Sequence, residues 1–286
     1  MSTAVPPVAA RRSSFLGDTW VIAKRGLRHI RRQPEALADV TIQPIMFVLL
    51  FAYVFGGAIK ISGGNYREFL MGGIFAQTIV FGAFGVAISL AHDRANGAVD
   101  RFRSLPMARG SVLAGHAVSS LLRALLPIIL MSLCGLIVGW RIRTSLLDAI
   151  GGYALMIALS FAIVWVGVLL GSMLPSVEAV QGVGFTVIFP VTFLASTFVP
   201  IETLPGVLRT IAEWNPVTTV SEALRRLFGN PSCALPDSVT ATCAQLRANA
   251  AWPIQHSVLY SVLWIVGIVA VCAPLAVRAY QRTISD

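Results

Sequence analysis

The chain has 286 residues, 56% of them hydrophobic and only 12% charged, with a mean hydropathy of +0.76. Soluble domains carry about 25% charged residues, so half that charge on so apolar a chain excludes an ordinary water-soluble protein and makes lipid its solvent. The formal net charge of +9 does not point to nucleic acid. Its basic residues flank apolar stretches, where anionic headgroups meet them, and form no run interleaved with aromatics.

Residues 1–12, rich in Pro and Ala and ending in Arg11 and Arg12, are expected to form a disordered tail. No short apolar core precedes a small-residue cleavage site here, so no cleavable signal peptide is expected and the first apolar span acts as the targeting signal. Over 13–34, Leu16, Trp20, Ala23, Leu27 and Ile30 recur at spacings of three and four, with Lys24, Arg25, Arg28, Arg31 and Arg32 on other faces. This predicts a basic amphipathic helix in the inner membrane interface, ended by Pro34.

Crossing a hydrocarbon core of about 30 Å takes roughly 20 mostly apolar residues. Six segments qualify, at about 40–59, 69–91, 112–139, 149–174, 180–200 and 257–277. A chain of this length is too small to bury six all-round apolar helices in a soluble core. The predicted fold is therefore an all-α integral membrane protein, a single six-span domain over 40–277 with a tail at 278–286. With both termini on one face, that face carries thirteen Lys and Arg against eight on the other, the early segment dominating. This predicts cytoplasmic termini and a cytoplasmic loop between spans two and three.

That loop runs from His92 and Asp93 through Gly97 to Arg109. Val99, Phe102 and Leu105 share a helical face, while Asp100, Arg101, Arg103 and Ser104 project elsewhere. Gly97 permits a bend and Pro106 stops the helix. The pattern fits either a short helix docking on another protein or a solvated loop with a charge cluster.

Within the spans, ionisable residues are nearly absent. Arg123 snorkels or lines a path, and no carboxylate lies well inside, which disfavours ion-coupled transport. Polar uncharged positions are scattered instead. Gln77 in span two and Thr186, Thr192, Ser196 and Thr197 in span five either face a shared pathway or bond back to helix carbonyls. Pro190 with Gly182 and Gly184 makes span five the likeliest to bend. The four histidines, His29, His92, His116 and His256, are dispersed over both faces, with no catalytic set or metal cluster among them.

Between spans five and six, the segment 201–252 is more than a loop. Pro205 starts a helix with Leu204, Leu208, Ile211 and Trp214 along one stripe, and Asn215-Pro216 makes a turn. Val217, Val220, Leu224 and Leu227 then resume the period before Gly229-Asn230-Pro231. Each piece is too short to span, so the pair is expected as a re-entrant hairpin at the outer leaflet. Cys134 and Cys272 fall inside spans and pack as small apolar residues. Cys233 and Cys243 share the outer loop, where an oxidising compartment permits a bridge.

Asp100-Arg101-Phe102-Arg103-Ser104-Leu105-Pro106-Met107, with Arg109 following, resembles the signature of type 2 ABC exporter permeases, and within them the daunorubicin-resistance branch. Phe198-Val199-Pro200-Ile201-Glu202-Thr203-Leu204-Pro205 followed by Trp214-Asn215-Pro216 is similar to that family's stretch after the fifth span. The resemblance covers roughly residues 15–280, and His92-Asp93-Arg94 stands where many relatives are more acidic. It implies that Asp93, Gly97, Asp100, Arg101, Phe102, Arg103, Leu105, Pro106 and Arg109 form the coupling helix, seated in a groove of a cytoplasmic ABC ATPase subunit. It also implies pairing with a second permease copy or a sister permease, and outward transport of drug-like or lipid-like compounds from the plasma membrane. The chain has no Gly-x-x-x-x-Gly-Lys-Ser/Thr, and its only lysines are Lys24 and Lys60. ATP and Mg are accordingly expected on the partner ATPase, with no cofactor and no catalytic residue in this chain.

Overall fold

A computed structural model describes residues 34–57, 59, 61, 65–95, 125–232 and 249–285. These residues form helices and their connections, with no strand among them. Helix α1, Pro34–Leu50, opens on the proline that the sequence predicts as a boundary and continues into a π-helical turn, Phe51–Phe55. There follow α2, Tyr66–Ala95, α3, Leu125–Val138, α4, Leu146–Met173, and α5, Val177–Phe193. A 3-10 turn, Ile201–Thr203, leads to α6, Gly206–Trp214, and α7, Pro216–Phe228. A single turn, α8, Trp252–Gln255, precedes α9, Ser257–Ser285.

Among the described residues three helices are long and apolar enough to cross a membrane: Tyr66–Arg94, Leu146–Met173 and Ser257–Ala279. They coincide with predicted spans two, four and six. The segments expected as spans one, three and five contain shorter apolar helices, Ile42–Phe55, Leu125–Val138 and Val177–Phe193. The tail 1–12, most of the amphipathic segment 13–34 and the first half of span three lie outside the described residues.

Local chemistry sets the helix ends. Ser145 caps α4, its hydroxyl accepting from the Asp148 amide at 3.2 Å. The helix ends at Leu174 because Pro175 follows. Ser176 then caps α5 through the Ala179 amide. That helix stops at Phe193, shorter than the predicted 180–200. Pro190 removes a backbone donor near its end, and the Thr197 hydroxyl donates to the Thr192 carbonyl at 3.3 Å, turning the chain back on itself.

Helix α2 is the centre of the bundle, packed most extensively on α4 and then on α7 and α5, while α9 covers α4 and α7. Phe69, Leu70, Met71, Ile74 and Phe75 of α2 meet Met131, Trp140, Met156, Leu224 and Phe228, all essentially inaccessible to solvent. Between α2 and α4 two glycines also bring backbone against backbone. A Cβ at Gly167 would stand 2.6 Å from the Ala83 carbonyl oxygen, and one at Gly171 2.7 Å from that of Ala87. Lipid chains are as apolar as the side chains, so membrane helices associate through such close approach rather than through burial from water.

Two short helices, α6 and α7, stand in the segment between predicted spans five and six. Asn215 caps α7 with Pro216 at the first helical position, and Gly229, in the left-handed region at φ 69, ends it. The two limbs differ sharply. Helix α6 exposes Val207, Leu208, Ile211 and Trp214, whereas α7 is buried along nearly its whole length.

Candidate functional site

Helix α7 presents to the bundle a face that is largely polar: Thr218, Ser221, Glu222 and Arg225, all buried. Arg225 has no exposed surface at all. Its Nε donates to the Phe69 carbonyl at 2.9 Å. Nη1 donates to Glu222 Oε1 at 2.7 Å and to Ser196 Oγ at 3.2 Å, and Nη2 to the Ser196 carbonyl at 2.6 Å. The guanidinium also lies 3.5 Å from the Phe69 ring centroid. One side chain thus joins α2, the turn after α5, and α7. The planar fork of Arg meets these directions at once, and the point charge of Lys does not. Removing one partner of such a buried pair costs roughly 3–5 kcal/mol, because the other charge is left uncompensated.

Glycines make the room. A Cβ at Gly72 would come within 2.8 Å of Arg225 Cγ, and one at Gly73 would enter the Thr197 carbonyl group. The hairpin is strapped at its ends as well. Asn215 Nδ2 donates to the Val191 carbonyl at 2.7 Å, and Thr218 Oγ1 accepts from the Ser196 amide at 3.0 Å. At the far end of α7, Trp140 Nε1 donates to Asn230 Oδ1 at 2.7 Å, and Thr144 Oγ1 to the Leu227 carbonyl at 2.6 Å. Arg143 of the same connection bonds buried Glu68 at 2.8 Å.

Glu202, in the 3-10 turn, is placed differently. Its Oε2 is buried and has no hydrogen-bond partner among the described residues. Burial pushes its carboxyl up to about 7, reinforced by nearby Glu222 and opposed by its own backbone bond and by Arg225 and Arg209. Arg209 itself bonds Glu213 one turn along α6 at 2.9 Å.

A row of aromatic rings runs from α2 along α5 to α1. Phe84 neighbours Phe81 and Phe185 at 5.8 Å between centroids. Phe185 leads to Phe189 at 6.5 Å, Phe189 to Phe193 at 4.1 Å, Phe193 to Phe198 at 5.6 Å, and Phe198 to Phe51 at 4.0 Å. Phe47 and Phe55 flank Phe51 at 5.9 and 5.1 Å. Phe185, Phe189 and Phe193 are exposed. The ring of Phe84 rests against the backbone of Gly184, so closely that a Cβ there would enter it.

The predicted pathway residues divide. Ser196 and Thr197 come together beneath α7, both fully buried, with Ser196 serving Arg225. Thr192 is buried and returns its hydroxyl to the Ile188 and Phe189 carbonyls at 2.9 and 3.0 Å. Thr186 stands apart on the exposed side of α5, bonded to the Gly182 carbonyl at 2.8 Å. Gln77 is buried within α2. Asp93 is half-buried in the last turn of α2. Gly97, Asp100, Arg101, Phe102, Arg103, Leu105, Pro106 and Arg109, and the Cys233–Cys243 pair, lie outside the described residues. Cys134 and Cys272 are free thiols, partly buried in α3 and α9. No group of three or more His, Cys, Asp or Glu within reach of a common metal ion occurs among the described residues.

Sequence reasoning missed Arg225, counting it with the loop charges. The available signal was local: Glu222 three positions earlier, with Thr218 and Ser221 on the same face of a short helix that has no Lys.

Apolar helices of membrane-crossing length and a short helix pinned to them by a buried arginine describe a polytopic helical membrane protein. Residues 17–228 match the family model described as ABC-2 type transporter, and the chain belongs to that family. It is 29% identical over 277 residues to the daunorubicin resistance ABC transporter permease protein DrrB1 of Streptomyces coeruleorubidus, covering 97% of this chain and 89% of that one. It is 25% identical over 180 residues to the doxorubicin resistance ABC transporter permease protein DrrB of Mycobacterium tuberculosis, covering 60% of this chain and 62% of that protein.

Proposed function

We propose that this chain is the permease subunit of an ATP-driven exporter in the plasma membrane, energised by a separate cytoplasmic ABC ATPase. The observation that carries the reading is the nearly end-to-end similarity to the daunorubicin resistance permease, 97% of one chain on 89% of the other. Two permeases, either two copies of this chain or this chain and a sister permease, work with two ATPase subunits that bind ATP and Mg. Asp93, Gly97, Asp100, Arg101, Phe102, Arg103, Leu105, Pro106 and Arg109 couple them. Both termini face the cytoplasm, and α6–α7 forms the outer, re-entrant element. The apolar face of α6, with Val207, Leu208, Ile211 and Trp214 exposed, suits contact with lipid.

The cargo is an apolar or amphipathic compound entering from the membrane. Three observations support that class: the exposed rings of the aromatic row offer stacking faces to a flat solute, the described spans carry few charges, and the named relatives are daunorubicin and doxorubicin resistance permeases. Gln77, Thr186 and Thr192 are the polar positions proposed for the path, and the two threonines share α5 with Phe185, Phe189 and Phe193.

The test is to tag the chain, extract it gently from native membranes and identify its stoichiometric companions by mass spectrometry. A soluble polypeptide with a phosphate-binding loop is the expected result, and the same preparation shows whether a second permease shares the complex. A chain recovered intact and alone overturns the reading.

A further inference from the structure

Helix α2 ends where the coupling stretch begins, and its last turn carries a contact that sequence reasoning did not anticipate. Arg94 Nη1 donates to three carbonyls at the end of α4: Gly171 at 3.0 Å, Ser172 at 3.1 Å and Leu174 at 3.1 Å. The last carbonyls of a helix have no partner within it and form the negative end of its dipole. Here the Leu170 carbonyl receives the Leu174 amide, while Gly171 and Ser172 are met by a cation from another helix. Two residues beyond Leu174, Ser176 caps α5, so the group that holds α4 also holds the turn into α5.

Above this point α2 and α4 touch through Ala83, Ala87, Gly167 and Gly171, backbone against backbone. Val86 and Leu90 of α2 sit against the same glycines, but these contacts are apolar and non-directional, whereas hydrogen bonds to named carbonyls define one position along the axis. A guanidinium seated on three carbonyls fixes the axial register. Small sliding of packed helices is the ordinary form of shear motion, and a contact that forbids it makes two helices move as one.

We infer that Arg94 is the positioning residue that passes displacement from the coupling stretch to the α4–α5 turn, holding α2 and α4 in one register while the ATPase drives them. The inference rests on the coupling role proposed for Asp93 to Arg109. It adds where the motion goes next. Without Arg94 the stroke still reaches α2, but only apolar contacts remain at this end to carry it, and α4 and α5 no longer follow.

Hydrogen–deuterium exchange on the assembled permease–ATPase complex tests this, comparing the nucleotide-free state with the state trapped by ATP and vanadate. In the parent protein, trapping is expected to change exchange both at 92–109 and at 174–180. In Arg94→Ala the response at 92–109 persists and that at 174–180 is lost, with the ATPase still co-purifying in the parent's ratio. Arg94→Lys restores the second response, because an ammonium supplies charge and N–H donors to the same carbonyls, whereas Arg94→Gln does not. A simple loss of helix capping would alter baseline exchange at 174–180 without abolishing its dependence on nucleotide. An undiminished nucleotide response at 174–180 in Arg94→Ala overturns the inference. An absent response at 92–109 in the parent overturns the coupling reading, and the inference falls with it.

Discussion

Arg225 and Glu202 lie within electrostatic reach of each other and show opposite solutions to burying a charge. Arg225 keeps its proton in a site closed to solvent because Glu222, the Ser196 hydroxyl and two carbonyls receive its donors. Glu202 has a buried oxygen with no such partner and is pushed up to about 7 instead. The consequence for stability has a definite sign. Unfolding returns Glu202 to the ordinary value of 4.5, so between these values the folded chain binds more protons than the unfolded one. Stability is then greatest below the lower value, falls as pH rises through the window, and levels off above about 7. The thermal unfolding midpoint of the purified protein is expected to drop from about pH 5 to about pH 8, by the equivalent of on the order of 1–3 kcal/mol. Glu202→Gln, which stays neutral throughout, should flatten that profile, and a profile of the same slope in the variant would assign the effect to another group.

At the scale of elements, α2 and the turn that follows α5 are joined by a close backbone-to-backbone approach. A Cβ at Gly73 meets the Thr197 backbone, which has no flexible end to move aside. Gly73→Ala must therefore push α2 from the turn and carry the Phe69 and Ser196 carbonyls away from Arg225. We expect a loss of roughly 1–3 kcal/mol, the usual range for overpacking. Gly182→Ala, where a Cβ meets nothing within 4 Å, should gain up to about 1 kcal/mol from helix propensity. Denaturation midpoints of the two variants, measured side by side in one detergent, separate a packing effect from a general effect of glycine replacement. The limits of these elements were largely legible in the sequence, because caps and stops are local chemistry. Ser145, Pro175, Ser176, Pro205, Asn215-Pro216 and Gly229 each act within a few residues of themselves. What lay hidden depends on distant partners. Nothing near Arg225 in the chain announces that Phe69 and Ser196 will surround it, and nothing near Arg94 announces the end of α4. The early end of α5 was hidden for a milder reason, since 194–200 is as apolar as the helix it leaves.

For the molecule as a whole, α2 is the element that reaches both ends. Its 30 residues span about 45 Å at 1.5 Å per residue. At one end it adjoins the coupling stretch and holds α4 through Arg94; at the other it carries Phe69, Gly72 and Gly73, against which the hairpin is pinned by Arg225. A displacement applied at the first end therefore acts on the second without an intermediate hinge among the described residues of α2. In the coupling role proposed above, the stretch after α2 is the point of entry, and Phe102 is its largest apolar side chain. Loss of a buried aromatic anchor at an interface costs about 2 kcal/mol or more, which is upward of tenfold in an equilibrium. In Phe102→Ala the neighbouring charges of Asp100, Arg101 and Arg103 remain to hold the ATPase loosely, while the rigid seat that transmits its closure is gone. The chain is expected to insert in the membrane and the complex to hydrolyse ATP, but efflux of an amphipathic fluorescent probe from loaded cells should fall by about tenfold or more. Hydrolysis and efflux falling together would indicate that the ATPase no longer binds, and Phe102 would then be an assembly residue. Efflux at the parent's level would remove the loop from the path altogether, and α2 would have to receive its motion through another contact.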